Sequence, residues 1–452
     1  MYIADLPSYA ALSNDSPHTP SYTPAPQAHE RRLALNDRVR AGPSGEFVKQ
    51  TKKGDVSLRL ARQDDNAAFP VYGCGPPVEG TVDIVKTDGI ASVEVKIEGV
   101  LKLQEIAEGG MTTHNLCLSR AVLWVKDRDG DVLCPNTLPF TLSLPTTFSD
   151  GGKTYPLPPT YESHLSGLPG FTATIDYSVS AFVMKPNLVP NLVKSALFGR
   201  DGNWSVSTPL MYRPRSRPSV PLPRPLITNN IDRGFAVHPG WKMFPSSLKA
   251  RTDGGKDIIS KLYLPASRIF AIGQPVPFHL TFNSSANSLA AFLPYGPIAS
   301  LSRKKQFTRI QLFRQTTVDV RNAIISGTKT DIWRVDCVGD GIFRHAGDGP
   351  DWISYSGEIC IDEQVKIGGF KAGGFSIKDC VVLSMTPPDV LKSPFRDFRQ
   401  VVPIRIATDP WTEDGAGVGT YTAVYRTPSS SDDHDDALHM DDDRFTQHRV
   451  SR

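Results

Sequence analysis

Along much of the chain, apolar and polar residues alternate with a period of two. Val93, Val95 and Ile97 are interleaved with Glu94, Lys96 and Glu98, which puts apolar side chains on one face of a strand and charges on the other. The same period recurs in Leu138, Phe140, Leu142 and Leu144, and in Ile175, Tyr177, Val179, Ala181 and Val183. Later it returns in Val276, Phe278, Leu280 and Phe282, in Trp333, Val335 and Cys337, in Phe375, Ile377, Val381 and Leu383, and in Val402, Ile404 and Ile406. Turn chemistry separates these runs: Asp88-Gly89, Asp129-Gly130 and Asp150-Gly151-Gly152 supply residues that tolerate positive φ where strands reverse. The pattern predicts an all-β protein built from two sandwich halves. In the first half only Asn191 to Gly199 reads as helix, with Asn191 as its cap.

Composition shifts mark the boundaries. Residues 1–45 are rich in Pro, Ser and Tyr and cannot bury enough apolar surface to order themselves. A first sandwich is expected over 46–208 and a stiff Pro/Arg-rich connector over 209–226, with Arg213, Arg215, Arg217 and Arg224. A second sandwich is expected over 227–411. Beyond it, 412–452 loses all periodicity and carries seven aspartates between Asp432 and Asp443, so it reads as an acidic disordered tail.

With 452 residues, 39% hydrophobic and 21% charged, the chain is long enough for two ordinary cores. A net charge of +3 with dispersed Lys and Arg creates no global field toward nucleic acid, and no nucleic-acid partner is expected. The first residues lack a basic and apolar leader, and no window approaches the length of a bilayer helix, so a cytoplasmic location is expected. In such a reducing compartment Cys74, Cys117, Cys134, Cys337, Cys360 and Cys380, which never form Cys-x-x-Cys, read as buried small apolar residues, and the sequons at Asn14, Asn203 and Asn283 are without use.

Four Pro-x-Tyr triplets stand out against about one expected by chance: Pro7-Ser8-Tyr9, Pro20-Ser21-Tyr22, Pro70-Val71-Tyr72 and Pro159-Thr160-Tyr161. Proline holds φ near the polyproline II value, so such a segment loses little entropy on docking into the aromatic groove of a WW domain. The candidate ligands are Leu6, Pro7 and Tyr9, with leucine where a first proline would stand; Pro20 and Tyr22; and Pro158, Pro159 and Tyr161, the one full Pro-Pro-x-Tyr. Ser16-Pro17 and Thr19-Pro20 offer phosphorylation sites beside these tyrosines.

Catalytic signals are absent from the sequence. Gly151-Gly152-Lys153-Thr154 lacks the first glycine of a phosphate loop, and Pro156, Pro158 and Pro159 forbid the helix that would hold the phosphate. Gly368-Gly369 and Gly373-Gly374 read as a hairpin or a bulge. The ten histidines show no ligand spacing, and there is no nucleophile elbow. These residues point to a protein that works through contacts, with no cofactor and no metal. Arg303, Lys304 and Lys305 form a cationic cluster suited to acidic lipid headgroups or an acidic cargo tail, for which the Asp432–Asp443 run is an internal competitor.

Several stretches, in order, resemble the fungal alpha-arrestin family. They are Gly80-Thr-Val-Asp-Ile-Val, Val93-Glu-Val-Lys-Ile-Glu-Gly99, Leu138-Pro-Phe-Thr-Leu-Ser-Leu-Pro145, Leu157-Pro-Pro-Thr-Tyr-Glu162, Ile175-Asp-Tyr-Ser-Val179, Ile272-Gly-Gln-Pro-Val-Pro-Phe-His-Leu280 and Phe375-Ser-Ile-Lys-Asp-Cys-Val-Val-Leu383. The resemblance covers roughly residues 50 to 410. It implies two immunoglobulin-like arrestin β-sandwich domains in tandem, between disordered tails. It implies an adaptor bringing a WW-domain ubiquitin ligase of the HECT type to the cytoplasmic tails of membrane transporters or receptors, recruited peripherally to plasma membrane or endosomes. An alternative within the same fold is a scaffold in endosomal sorting or ambient-pH signalling. In this family a Leu-Pro-containing stretch precedes the strand matching Ile175 to Val179, so Pro158–Tyr161 is open to a second reading as a structural corner. Many relatives carry Pro-Pro-x-Tyr after the second sandwich; the segment after residue 411 here has none.

Overall fold

The computed structural model describes residues 44–413 apart from 65–66, 74–75, 107–110, 128–131, 167–169, 186–202, 252–254, 298–305, 322–328 and 390, and omits the side chains of 319–333. The expected helix over 191–199, the Asp129-Gly130 turn, Cys74 and nearly all of both tails lie outside the described residues.

The alternating runs become strands, except that Leu144 lies just past the end of the strand Thr137–Leu142. The first half runs β1 (Gly45–Gln50), β2 (Val56–Gln63), β3 (Val71–Tyr72), β4 (Val78–Ile84), β5 (Ser92–Glu105), β6 (Met111–Val125), β7 (Thr137–Leu142), β8 (Thr147–Asp150), β9 (Lys153–Pro156), β10 (Tyr161–Leu165), β11 (Phe171–Met184) and β12 (Trp204–Tyr212). One sheet has the order β1-β2-β4-β7, a second β3-β12-β11-β5-β6 with β10 also on β11, and β8-β9 forms a separate hairpin. The two larger sheets enclose a single apolar cluster. Leu58, Leu60 and Val82 come to it from the first sheet, and Val95, Ile97 and Val179 from the second, all fully buried. Burying each such side chain contributes about 1.5–3 kcal/mol. Gly151 and Gly152, at φ 58° and 80°, close the β8–β9 hairpin, so the residues that imitate a phosphate loop form a turn.

The second half runs β13 (Thr228–Asn229), β14 (Gly234–Phe235), β15 (Trp241–Leu248), β16 (Ile258–Pro265), β17 (Ile269–Ala271), β18 (Val276–Asn283), β19 (Thr308–Arg321), β20 (Lys329–Gly349), β21 (Trp352–Ile361), β22 (Phe370–Ala372), β23 (Phe375–Met385) and β24 (Phe398–Ala407). Ten of these strands make one sheet, β15-β16-β18-β21-β20-β19-β23-β24-β17 with β22 on β23. The sheet curls over its own core, and Gln400 Nε2 on β24 donates to Phe244 O on β15 at 3.0 Å, joining strands from near its two ends. Among the described residues the only α-helix is Ala286–Phe292, capped by Ser285, which accepts from Ser288 N.

The connector is not free. β12 continues to Tyr212, so Pro209–Tyr212 belong to a strand, and the irregular stretch starts at Arg213. Ser216 N donates to Thr408 Oγ1 at 2.8 Å, Asp409 N donates to Ser216 O at 2.9 Å, and Arg215 pairs with Asp409. Further on, Leu226, Phe235 and Trp241 cover one face of β18, where His279 is 4% exposed. The rings of Phe235 and Trp241 each stand 4.5 Å from the His279 ring. Gly234, at φ +138°, crosses so close to Thr281 that a Cβ there would lie 2.7 Å from the threonine methyl. Leu226 N donates to His279 Nε2 at 3.0 Å, which leaves the ring proton on Nδ1 to be donated to Ser356 Oγ at 2.8 Å.

Of the cysteines, Cys117, Cys134 and Cys380 are buried, and burial pushes the thiols of Cys117 and Cys380 up to about 11 and about 12. Cys337 and Cys360 depart from the expected burial. They lie on outward positions of β20 and β21, where the apolar period stops at the solvent face.

His279 sets an acid limit. Burial lowers its pKa from 6.5 to about 4. The unfolded chain therefore takes up a proton between these values that the folded chain refuses, and stability declines as pH falls through that window. Urea denaturation from pH 7 to pH 4 should reveal a loss of about 3 kcal/mol that His279→Asn largely removes; a His279→Asn curve parallel to the parent would assign the acid limb elsewhere.

Candidate functional site

The best sequence candidate, Pro158-Pro159-Thr160-Tyr161, forms a corner leading into β10. Pro158 and Pro159 are buried and Tyr161 is half-buried. The Tyr177 hydroxyl donates to Pro158 O at 2.6 Å, and burial pushes that hydroxyl's pKa far above its ordinary value. Thr160 ties the corner to β12: its N–H donates to Tyr212 O at 2.9 Å, and its Oγ1 accepts from Tyr212 N at 2.9 Å. Tyr161 itself pairs with Ile175 in the β10–β11 ladder. A WW ligand must offer both prolines and the tyrosine on an open polyproline II surface. Here both prolines are buried and the Thr160 amide and Oγ1 are bonded to Tyr212, so the segment lacks that open surface. Tyr72, from the Pro70-Val71-Tyr72 triplet, is likewise 6% exposed. Leu6, Pro7, Tyr9, Pro20, Tyr22, Arg303, Lys304 and Lys305 lie outside the described residues.

The Tyr161 ring reaches across to the second half. It stands 5.7 Å from Phe370 and 6.0 Å from Phe375, edge-on to the first and stacked on the second. Around it, Arg334 Nη1 donates to His164 O at 2.6 Å, and Lys371 Nζ lies 5.5 Å from the Tyr155 ring. Val318, Ala372, Phe375 and Ile377 belong to the same buried cluster as the first half's core. Ile310, Leu312, Val381 and Leu383, farther along β19 and β23, belong to the second half's cluster.

Between these two clusters lies a charge pair that sequence reading passed over. Arg314 and Asp379 face each other across β19 and β23, with side chains 8% and 1% exposed. Arg314 Nε donates to Asp379 Oδ1 at 2.8 Å and Nη2 to Oδ2 at 3.1 Å, while Nη2 also donates to Ile367 O at 2.8 Å. The signal was present in the period-two run Phe375, Ile377, Val381, Leu383, whose missing inward member is Asp379. A charge on the apolar face of a strand requires a buried partner.

The outer face of the four-stranded sheet has a shallow hollow of 270 Å³ lined by Glu46, Arg59, Glu79 and Thr81, in which Arg59 is held by Asp83 at 2.6 Å and Glu46 at 3.6 Å. Among the described residues there is no group of three or more His, Cys, Asp or Glu that could hold a metal ion. No helix among them is long and apolar enough to cross a membrane. Compared with protein-family models and with curated proteins, the chain matches none.

Removing one member of the buried pair leaves the other charge unpaired. Asp379→Ala should lower stability by about 3–5 kcal/mol in equilibrium unfolding, whereas replacing both residues with apolar ones of similar size, Arg314→Met with Asp379→Leu, should recover most of it. An Asp379→Ala loss below about 1 kcal/mol would show that water reaches Arg314 in solution.

Proposed function

We propose that this chain is an arrestin-like trafficking adaptor: two β-sandwich bodies that recognise the cytoplasmic tails of membrane transporters or receptors, with a WW-domain ubiquitin ligase recruited through the N-terminal tail. The observation that carries the reading is the pairing of two β-assemblies, a two-sheet sandwich and a curled ten-stranded sheet, whose apolar clusters meet along β19 and β23 beside Tyr161, Phe370 and Phe375. Such a body offers long sheet faces and edges for contacts. The likeness of its ordered motifs to alpha-arrestins supplies the biological context, including peripheral recruitment to plasma membrane or endosomes and contact of acidic lipids with Arg303, Lys304 and Lys305.

Ligase recruitment then rests on Leu6-Pro7-Ser8-Tyr9 and Pro20-Ser21-Tyr22, a reading supported by the burial of Pro158 and Pro159. The same burial favours a second reading, a scaffold of the same architecture in endosomal sorting or ambient-pH signalling without a ligase, since the buried prolines belong to the one complete Pro-Pro-x-Tyr.

Titration of isolated WW domains against the full chain separates the two. Under the first reading, Tyr9→Ala with Tyr22→Ala weakens binding by at least about tenfold, an anchor-sized loss, and Tyr161→Ala leaves affinity unchanged while lowering thermal stability. Retained binding in the triple variant excludes these tyrosines as anchors. Absence of binding by the parent chain leaves the scaffold reading.

A further inference from the structure

We propose that the outer edge of β6 is a docking site for an extended peptide bearing an acidic residue between two apolar ones, added as a further strand to the six-stranded sheet. The proposal rests on the adaptor reading and gives it a contact surface. Among the described residues β6 ends the order β3-β12-β11-β5-β6, and its ladder is with β5. Two bulges interrupt that ladder, with Leu123 unmatched between Val93/Glu94 and Leu116 unmatched between Gly99/Val100. Bulges blunt an edge against indiscriminate pairing. Between them, Cys117–Val122 pairs without a break, from Gly99 to Glu94. In an antiparallel ladder alternate residues turn N–H and C=O away from the neighbour, so this stretch presents about three such sets to an incoming strand.

Side chains on the outer face set the partner's chemistry. Leu118 and Val122 are 53% and 63% exposed, and the Arg120 side chain between them is 58% exposed. Arg120 stands opposite Lys96 and pairs with Glu94 at 3.8 Å, and β6 itself, MTTHNLCLSRAVLWV, has no acidic residue. Cross-strand neighbours favour apolar against apolar and opposite charge against opposite charge. The complementary strand therefore reads apolar, any, acidic, any, apolar. A second copy of this chain fits poorly: an antiparallel register that sets Leu118 against Val122 of the other copy sets Arg120 against Arg120, a like-charge pair.

The test uses the full chain and a synthetic ten-residue peptide with Val-Thr-Glu-Thr-Val at its centre, followed by fluorescence polarisation and hydrogen exchange. The expected result is slowed exchange confined to the amides of 117–122. Arg120→Glu should weaken binding by about tenfold, and a peptide with Lys for its central Glu should restore it. Binding that leaves 117–122 unprotected, or that ignores Arg120→Glu, overturns the assignment while the adaptor reading stands on its own WW-domain titration. No binding up to about 1 mM peptide overturns it as well, as does a concentration-dependent dimer that itself protects 117–122, which would give the edge to a second copy.

Discussion

A single buried ion pair marks the point on which the architecture turns. β19 and β23 pass through both apolar clusters: one end of each packs with the first half's core and the other end lies in the second half's own core. Arg314 and Asp379 occupy the inward positions between those ends. Two charges inside a sheet are tolerated because the guanidinium meets the carboxylate with two hydrogen bonds and gives a third to Ile367 O. Apolar side chains at these positions would let the clusters merge into one continuous layer. The pair adds a directional contact to a β19–β23 register that the inward apolar residues of both strands also specify.

Around that point the seam is built from rings and backbone. Tyr161 brings the corner of the first half onto Phe370 and Phe375, and Arg334 reaches back to His164 O. The prolines before Tyr161 serve this geometry: they deliver the chain into β10 with fixed φ, while Tyr177 and Thr160 satisfy the carbonyl and amide groups around them. A sequence that imitates a ligand motif is in this way used by the fold. The connector adds a second restraint through Ser216 and Thr408 and a third over His279.

Much of the fold was legible because period-two alternation needs only the sequence. Val93 to Ile97, Ile175 to Val183 and Val276 to Phe282 all fall in strands with their apolar members inward. The helix at Ala286–Phe292 was not, since seven residues give too little periodicity to separate helix from turn. The candidate site was legible in composition and not in exposure. Pro158–Tyr161 satisfies the spelling of a WW ligand, but its burial depends on Tyr177, Tyr212 and Phe375, residues 16, 51 and 214 positions beyond Tyr161, which no local pattern connects. Asp379 was readable as an exception to its own strand's alternation; its partner Arg314 was not, because pairing of β19 with β23 is set by topology.

Because β19 and β23 run through both apolar clusters, the two halves share strands and a core and behave as one cooperative body. Differential scanning calorimetry of the full chain tests it most directly. One transition, with calorimetric and van't Hoff enthalpies in agreement, is the predicted result. Two resolved transitions, each with the enthalpy of about half the folded residues, would contradict it and make the seam a weak contact between independent domains.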